Sequence, residues 1–207
     1  MKIIGINGSA RAGGNTALLI RHVFEPLEKA GIETEIFELA GKPLRGCVAC
    51  FGCFKAKNGR CVFDGDAANE AIVKMRGADG IILGSPTYFA DLSAQMKALI
   101  ERAGFVARAN DDMLRRKPGA AVVAVRRAGA IHAFDSINHF FLISQMIVVG
   151  SSYWNIGRGR EKGEVEQDEE GIRTMRVLGE NMAWVLKKVR SQKAEVRSKK
   201  GENACSG

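Results

Sequence analysis

The sequence predicts a three-layer α/β fold: a doubly wound, five-stranded parallel sheet in the order 2-1-3-4-5, with a cysteine-rich insertion after the second strand. Three observations carry this. Five short apolar runs at residues 2–6, 33–37, 80–84, 120–125 and 146–150 have the length and composition of buried strands. Amphipathic stretches at 15–30, 67–75, 93–102 and 133–144, with a last one at 169–189, alternate with them in a repeating β-α pattern. Near-continuous apolar strands must be covered on both faces, which right-handed crossovers with flanking helices accomplish.

Length and composition set the frame. The 207 residues, 46% hydrophobic and 26% charged, suit one globular domain, placed at 1–189. The formal charge of +8 invites a nucleic-acid partner, but it is unevenly placed. Lys187, Lys188, Arg190, Lys193, Arg197, Lys199 and Lys200 stand against only Glu195 and Glu202. The excess therefore belongs to a basic stretch, read at 190–207 as a flexible, solvated tail, and nucleic-acid binding is not expected. No run of about 20 apolar residues is present to span a bilayer. Met1 leads directly into the first strand without the apolar stretch of a signal peptide, so a cytoplasmic location is expected.

In a sheet of this order, ligands bind at the carboxyl ends of the strands around strand 1. Three loops fall on that edge. The first runs Gly8-Ser9-Ala10-Arg11-Ala12-Gly13-Gly14-Asn15-Thr16 and opens a helix. Its small residues let backbone N–H groups converge on an anion, helped by the helix dipole and by Ser9, Arg11, Asn15 and Thr16. It matches neither the nucleoside-triphosphate loop nor the dinucleotide fingerprint, so a monophosphate suits it better; helix capping by Ser9 and Asn15 is the plainer alternative. The second, Pro86-Thr87-Tyr88-Phe89, sets two aromatics beside a proline-fixed turn, where they can face a planar heterocycle or plug the core. The third, Arg126-Arg127-Ala128-Gly129, supplies cations and a flexible glycine. A cation or amide there would stabilise the negative charge that flavin reduction builds.

The segment 41–66, too long for a plain connection, holds Cys47-x2-Cys50-x2-Cys53-x7-Cys61. Four soft thiolates suit an iron–sulfur cluster or zinc. Two consecutive C-x2-C steps favour a cluster over a zinc ribbon; zinc and metal-free thiols remain open. Lys55, Lys57 and Arg60 can offset the charge of such a cluster or simply be solvated. Cys205 stands outside the constellation.

Together, Gly8-Ser9-Ala10-Arg11 with Asn15-Thr16, Gly84-Ser85-Pro86-Thr87-Tyr88, the loop at Arg127 to Gly129, and Ser151-Ser152-Tyr153-Trp154-Asn155 resemble one group. It is the NADPH-dependent FMN reductase and iron–sulfur flavoprotein branch of the flavodoxin-like superfamily. The resemblance implies FMN, its phosphate on Ser9, Arg11, Asn15 and Thr16 and its ring lined by Pro86, Thr87, Tyr88 and Phe89. Arg127, Ala128 and Gly129 would complete the other ring edge. It further implies a [4Fe–4S] cluster on Cys47, Cys50, Cys53 and Cys61, and a homodimer or tetramer. The expected function is an FMN-dependent oxidoreductase exchanging electrons between flavin, cluster and a ferredoxin-like carrier. The alternative is an NAD(P)H-dependent FMN or quinone reductase with structural cysteines. Neither needs a catalytic nucleophile or base from the chain, since the flavin carries the chemistry.

Overall fold

Four of the five expected strands form as the parallel strands β1 (Lys2–Asn7), β2 (Glu33–Glu38), β3 (Gly80–Pro86) and β4 (Pro118–Val125) of a sheet in a computed structural model that describes residues 1–204. Cys205 and the last residues of the basic tail lie outside the described residues. The fifth strand departs from expectation. Only β5 (Ile147–Val148) pairs there, with Pro118 and Gly119, and the chain then leaves the edge. It returns as β6 (Ile156–Arg158), which pairs with Val123–Val125 at the other end of β4. The sheet thus has the order β2-β1-β3-β4-β5, all parallel, with β6 also on β4. Asn155 patches the gap: its Nδ2 donates to the Ala121 carbonyl (3.0 Å), and its own carbonyl accepts from the Val123 N–H (2.9 Å). Tyr153 and Trp154, in the excursion between the two pieces, are 64% and 53% exposed and do not close the core.

Two helical layers cover the sheet. On one face, α1 (Asn15–Lys29) and the last helix, α6 (Glu169–Ala204), bury Leu19, Ile20, Val23, Leu178 and Met182 against Ile3, Ile82 and Val122. Helix α6 continues to Ala204 instead of stopping at Val189. On the other face, α3 (Ala67–Gly77), α4 (Ala94–Ala109) and α5 (Ala130–Ile143) bury Ile72, Leu99, Val106 and Phe141 against Ile4, Ile6, Leu83 and Val123. Helix α4 runs well beyond Arg102, placing that residue mid-helix, while Ser93 caps its start by accepting the Met96 N–H. Within the cysteine segment lies one further short helix, α2 (Gly52–Ala56).

Strands whose side chains point alternately to two apolar layers must be apolar at nearly every position, and β3 and β4 are buried almost throughout. At Gly84 helix α1 comes close to the sheet. A Cβ there would lie 2.6 Å from the Ile20 side chain and 2.9 Å from that of Thr16, so only glycine lets the start of α1 sit against β3. This close approach sets the helix N-terminus over the strand ends.

Candidate functional site

The loops after β1, β3 and β4 enclose one crevice at the carboxyl edge of the sheet. Of the residues expected at the site, Ser9, Arg11, Asn15, Thr16, Pro86, Thr87 and Tyr88 line it, together with Arg126 and with Gly159, Arg160 and Lys162. Its first wall is organised from beneath. Asn7 accepts the Ser9 N–H on Oδ1 (3.0 Å) and donates from Nδ2 to Glu38 (2.6 Å), and Glu38 also accepts the Gly13 N–H (3.2 Å). Ser9 Oγ accepts the Arg11 N–H (3.1 Å). No side chain caps α1, and its first turn holds no acid, so capping does not account for Ser9 and Asn15. What remains is a helix dipole's positive end facing the crevice among four cations, Arg11, Arg126, Arg160 and Lys162, an arrangement suited to an anionic group.

The two walls are tied by a buried serine. Ser93 Oγ donates to the Gly8 carbonyl (2.7 Å), and the Ser93 N–H donates to Ser85 Oγ (2.9 Å), linking the loop after β1 to the end of β3. The second wall then makes a tight turn in which Tyr88 and Asp91 exchange both backbone hydrogen bonds, at 2.8 and 3.0 Å. Phe89 and Ala90 occupy its centre with φ of 48° and 63°, the left-handed region that costs a non-glycine residue about 1–2 kcal/mol. The turn throws Phe89 wholly into solvent, outside the crevice lining, while Tyr88 lines it and is 43% exposed. Burial opposes ionisation of Asp91, but the Leu92 N–H, Ser136, His132 and Lys97 together hold its carboxyl below the usual carboxylate range. Thr87 Oγ1 is buried and has no hydrogen-bond partner among the described residues, a polar atom that a ligand heteroatom in this crevice would satisfy.

After β4, Arg126 is the residue that lines the crevice. Arg127 and Ala128 are exposed and Gly129 is half-buried, none of them in the lining. Gly129 starts α5 at φ 83°, and a Cβ on it would lie 3.1 Å from Ala90, so the third loop meets the turn of the second.

Sequence reasoning missed the segment after β6. Asn15 Nδ2 donates to the Glu161 carbonyl (2.9 Å), and its Oδ1 accepts the Gly163 N–H (2.9 Å). Arg11 donates to the Arg160 carbonyl (3.2 Å), and Lys162 to that of Ala12 (3.2 Å). The run Gly159-Arg160-Glu161-Lys162-Gly163, a basic pair between glycines, is the one signal that could have pointed here.

The cysteine segment forms a second site, against the second half of α4. All four cysteines line one pocket, with Phe51, Val62, Phe63, Phe105 and Val106 as its apolar walls and Arg102 beside them. Cys53 is buried, Cys47 and Cys61 are half-buried and Cys50 is exposed; all four are free thiols. Burial pushes the Cys53 thiol up from its ordinary range, and the neighbouring Cys61 and Cys47 add to this against the opposing N–H groups of Phe54 and Cys53. Having almost no regular structure, the segment is held by side chains of the scaffold. Glu101 accepts the Cys47 N–H (3.3 Å), Asn69 accepts the Cys61 N–H (2.8 Å) and returns a bond to its carbonyl (2.9 Å), and Asn110 accepts the Gly59 N–H (2.8 Å). Left-handed φ angles at Ala49, Phe51 and Lys57 curl the chain around the pocket. Among the described residues no three His, Cys, Asp or Glu side chains are grouped to hold a single metal ion.

A parallel sheet in this order, with a cation-rich crevice at the ends of β1, β3 and β4, has the flavodoxin-like arrangement. The sequence profile of the family described as NADPH-dependent FMN reductase matches residues 1–161, and the chain belongs to that family. It is 41% identical over 202 residues to an iron–sulfur flavoprotein of Methanocaldococcus jannaschii, covering 92% of this chain and 100% of that one. To the iron–sulfur flavoprotein of Methanosarcina thermophila it is 34% identical over 195 residues, covering 93% and 99%. Among solved structures it resembles RosB, crystallised with 8-demethyl-8-formylriboflavin-5′-phosphate, at a TM-score of 0.71 and 16% identity over 98% of this chain and 87% of that one. At that identity the likeness speaks for the fold. No helix among the described residues is long and apolar enough to cross a membrane.

Proposed function

We propose that this protein is an iron–sulfur flavoprotein: FMN occupies the crevice, a [4Fe–4S] cluster occupies the four-cysteine pocket, and electrons pass between them and a ferredoxin-like carrier. The single observation that carries the reading is the convergence of Cys47, Cys50, Cys53 and Cys61 on one pocket with apolar walls. Thiolates bound to one zinc sit about 2.3 Å from a shared centre. Four thiols lining one apolar pocket suit a cluster, whose irons each take one thiolate. The relatives named iron–sulfur flavoprotein support the same reading.

FMN supplies two-electron chemistry whose electrons can leave singly, and a cluster supplies a one-electron site. The chain's own residues bind and orient. Ser9, Arg11 and Thr16, with the α1 N-terminus, would hold the phosphate, and Arg160 and Lys162 add charge from the opposite side. Asn15, engaged with Glu161 and Gly163, fixes that side in place. Pro86, Thr87 and Tyr88 would line the ring, the free Thr87 hydroxyl bonding a polar ring atom. Arg126 stands in the lining where Arg127, Ala128 and Gly129 were expected; Phe89 covers the ring only if the turn rearranges. Leu142 and Ile143, 62% exposed on α5, are the apolar face for the homodimer or tetramer in this proposal.

A second reading, NAD(P)H-dependent FMN or quinone reduction with structural cysteines, is favoured by the absence of a ready-grouped metal site among the described residues. Iron and acid-labile sulfide in anaerobically reconstituted protein separate the two. The cluster reading expects about four irons per chain, lost in Cys61→Ser while flavin is retained. Flavin-bound wild type without iron establishes the second reading, and a chain that refuses FMN removes both.

A further inference from the structure

Arg102 is only 2% exposed. One end of its guanidinium pairs with the Asp66 carboxylate, and Nη2 donates to the Phe63 carbonyl at 2.6 Å. Nε is buried and has no hydrogen-bond partner among the described residues. A guanidinium is costly to bury unless its charge and its donors are matched, so an idle Nε–H marks an acceptor still to come. The four-thiol pocket is where that acceptor belongs. Arg102 lines this pocket with the cysteines, and Asp66 does not. The pair therefore sets its cationic member in the lining of the four-thiol pocket and its anionic member outside that lining.

We propose that Arg102 tunes the cysteine site: its buried guanidinium offsets the charge of thiolates carrying an iron–sulfur cluster, and its Nε–H donates to a sulfur of that group. This rests on the cluster reading given above. Reduction adds negative charge, and a cation in an apolar pocket stabilises that charge far better than one in water. Hydrogen bonds to sulfur act in the same direction, raising the reduction potential. Lys55, Lys57 and Arg60 are exposed and absent from the pocket lining, so solvent screens them. The tuning charge is thus a buried residue of α4, outside the cysteine segment itself.

The test is the cluster's reduction potential in anaerobically reconstituted holoprotein, titrated under electron paramagnetic resonance, for wild type, Arg102→Gln and Asp66→Asn. Arg102→Gln should lower the potential by at least a tenfold shift in the one-electron equilibrium, about 59 mV. Asp66→Asn removes the neutralising charge but keeps an acceptor for the Ala68 N–H, and should raise it. A residue that merely staples the segment would not move the two variants in opposite directions. Unchanged potentials, or shifts of the same sign, overturn the role of Arg102 while leaving the cluster reading intact. If Arg102→Gln fails to fold, Asp66→Asn decides alone: a rise supports the proposal, and no change or a fall overturns it. Wild type that binds no iron overturns the cluster reading and this proposal with it, and iron analysis identifies that case.

Discussion

The Asn15 side-chain oxygen accepts the Gly163 backbone N–H at 2.9 Å, joining residues 148 apart in sequence. With the companion bond from Asn15 Nδ2 to Glu161, it closes the crevice on the side that carries Arg160 and Lys162. Asn15→Ala removes both bonds and leaves a partly buried N–H without an acceptor, a loss of about 1–3 kcal/mol. The expected result in denaturant unfolding is a loss in that range. FMN titration should show a Kd raised at least about tenfold, the equivalent of 1.4 kcal/mol. A conventional phosphate ligand would affect binding alone.

Gly84→Ala tests the close approach of α1 to β3. The added methyl meets Ile20 and Thr16 side chains at 2.6 and 2.9 Å, well inside contact distance. Overpacking of this kind costs about 1–3 kcal/mol. Because the strain falls on the first turn of α1, FMN affinity should fall as well, read by recovery of free-flavin fluorescence. Gly31→Ala, where no neighbour lies within 4 Å, tests a different strain, its positive φ, and should leave FMN affinity unchanged.

The thiols of the metal-free protein should differ in reactivity. Cys50 is exposed, whereas Cys53 is buried and its pKa is raised, chiefly by that burial. A raised pKa means less thiolate at a given pH and hence slower attack on an alkylating agent. Mass spectrometry after brief iodoacetamide treatment at pH 8 should find Cys50 modified before Cys53, with the gap narrowing as pH rises.

Asp66 sets an acid limit on the cysteine segment. Burial opposes its ionisation, but the N–H groups of Ala68 and Arg45 and the Arg102 guanidinium outweigh this and hold the carboxyl below its usual range. A folded-state pKa below the unfolded one stabilises fully above the unfolded value, about 3.9, and that contribution fades as pH falls through the lower folded value. Limited proteolysis within 41–66 should therefore accelerate below about pH 4. Asp66→Asn should cleave at a rate that changes less over the same interval.

Much of this was legible in the sequence, and the exceptions have physical reasons. The runs that became β1, β3 and β4 are apolar at successive positions because helices cover both faces, and that pattern survives any context. The fifth strand did not: Ile147 and Val148 look like core, yet each is 37% exposed on a sheet edge that breaks off after two residues. The place of the loop after β1 was readable because its small residues and glycines fall between an apolar strand and an amphipathic helix. Which of two adjacent arginines would reach the crevice was not, since the turn after Val125 sends Arg126 in and Arg127 out. Segment 159–163 arrives by the three-residue strand β6, too short for any periodic signal. Arg102 left a faint trace, a cation in step with Leu99 and Val106 on the buried side of α4.

The central claim is that one chain carries both FMN and a four-thiolate cluster. Stepwise anaerobic reduction of the reconstituted holoprotein, followed by absorbance, counts the electrons it accepts. About three per chain are expected, two on FMN and one on the cluster. An endpoint at about two, with flavin bleaching alone, would contradict it.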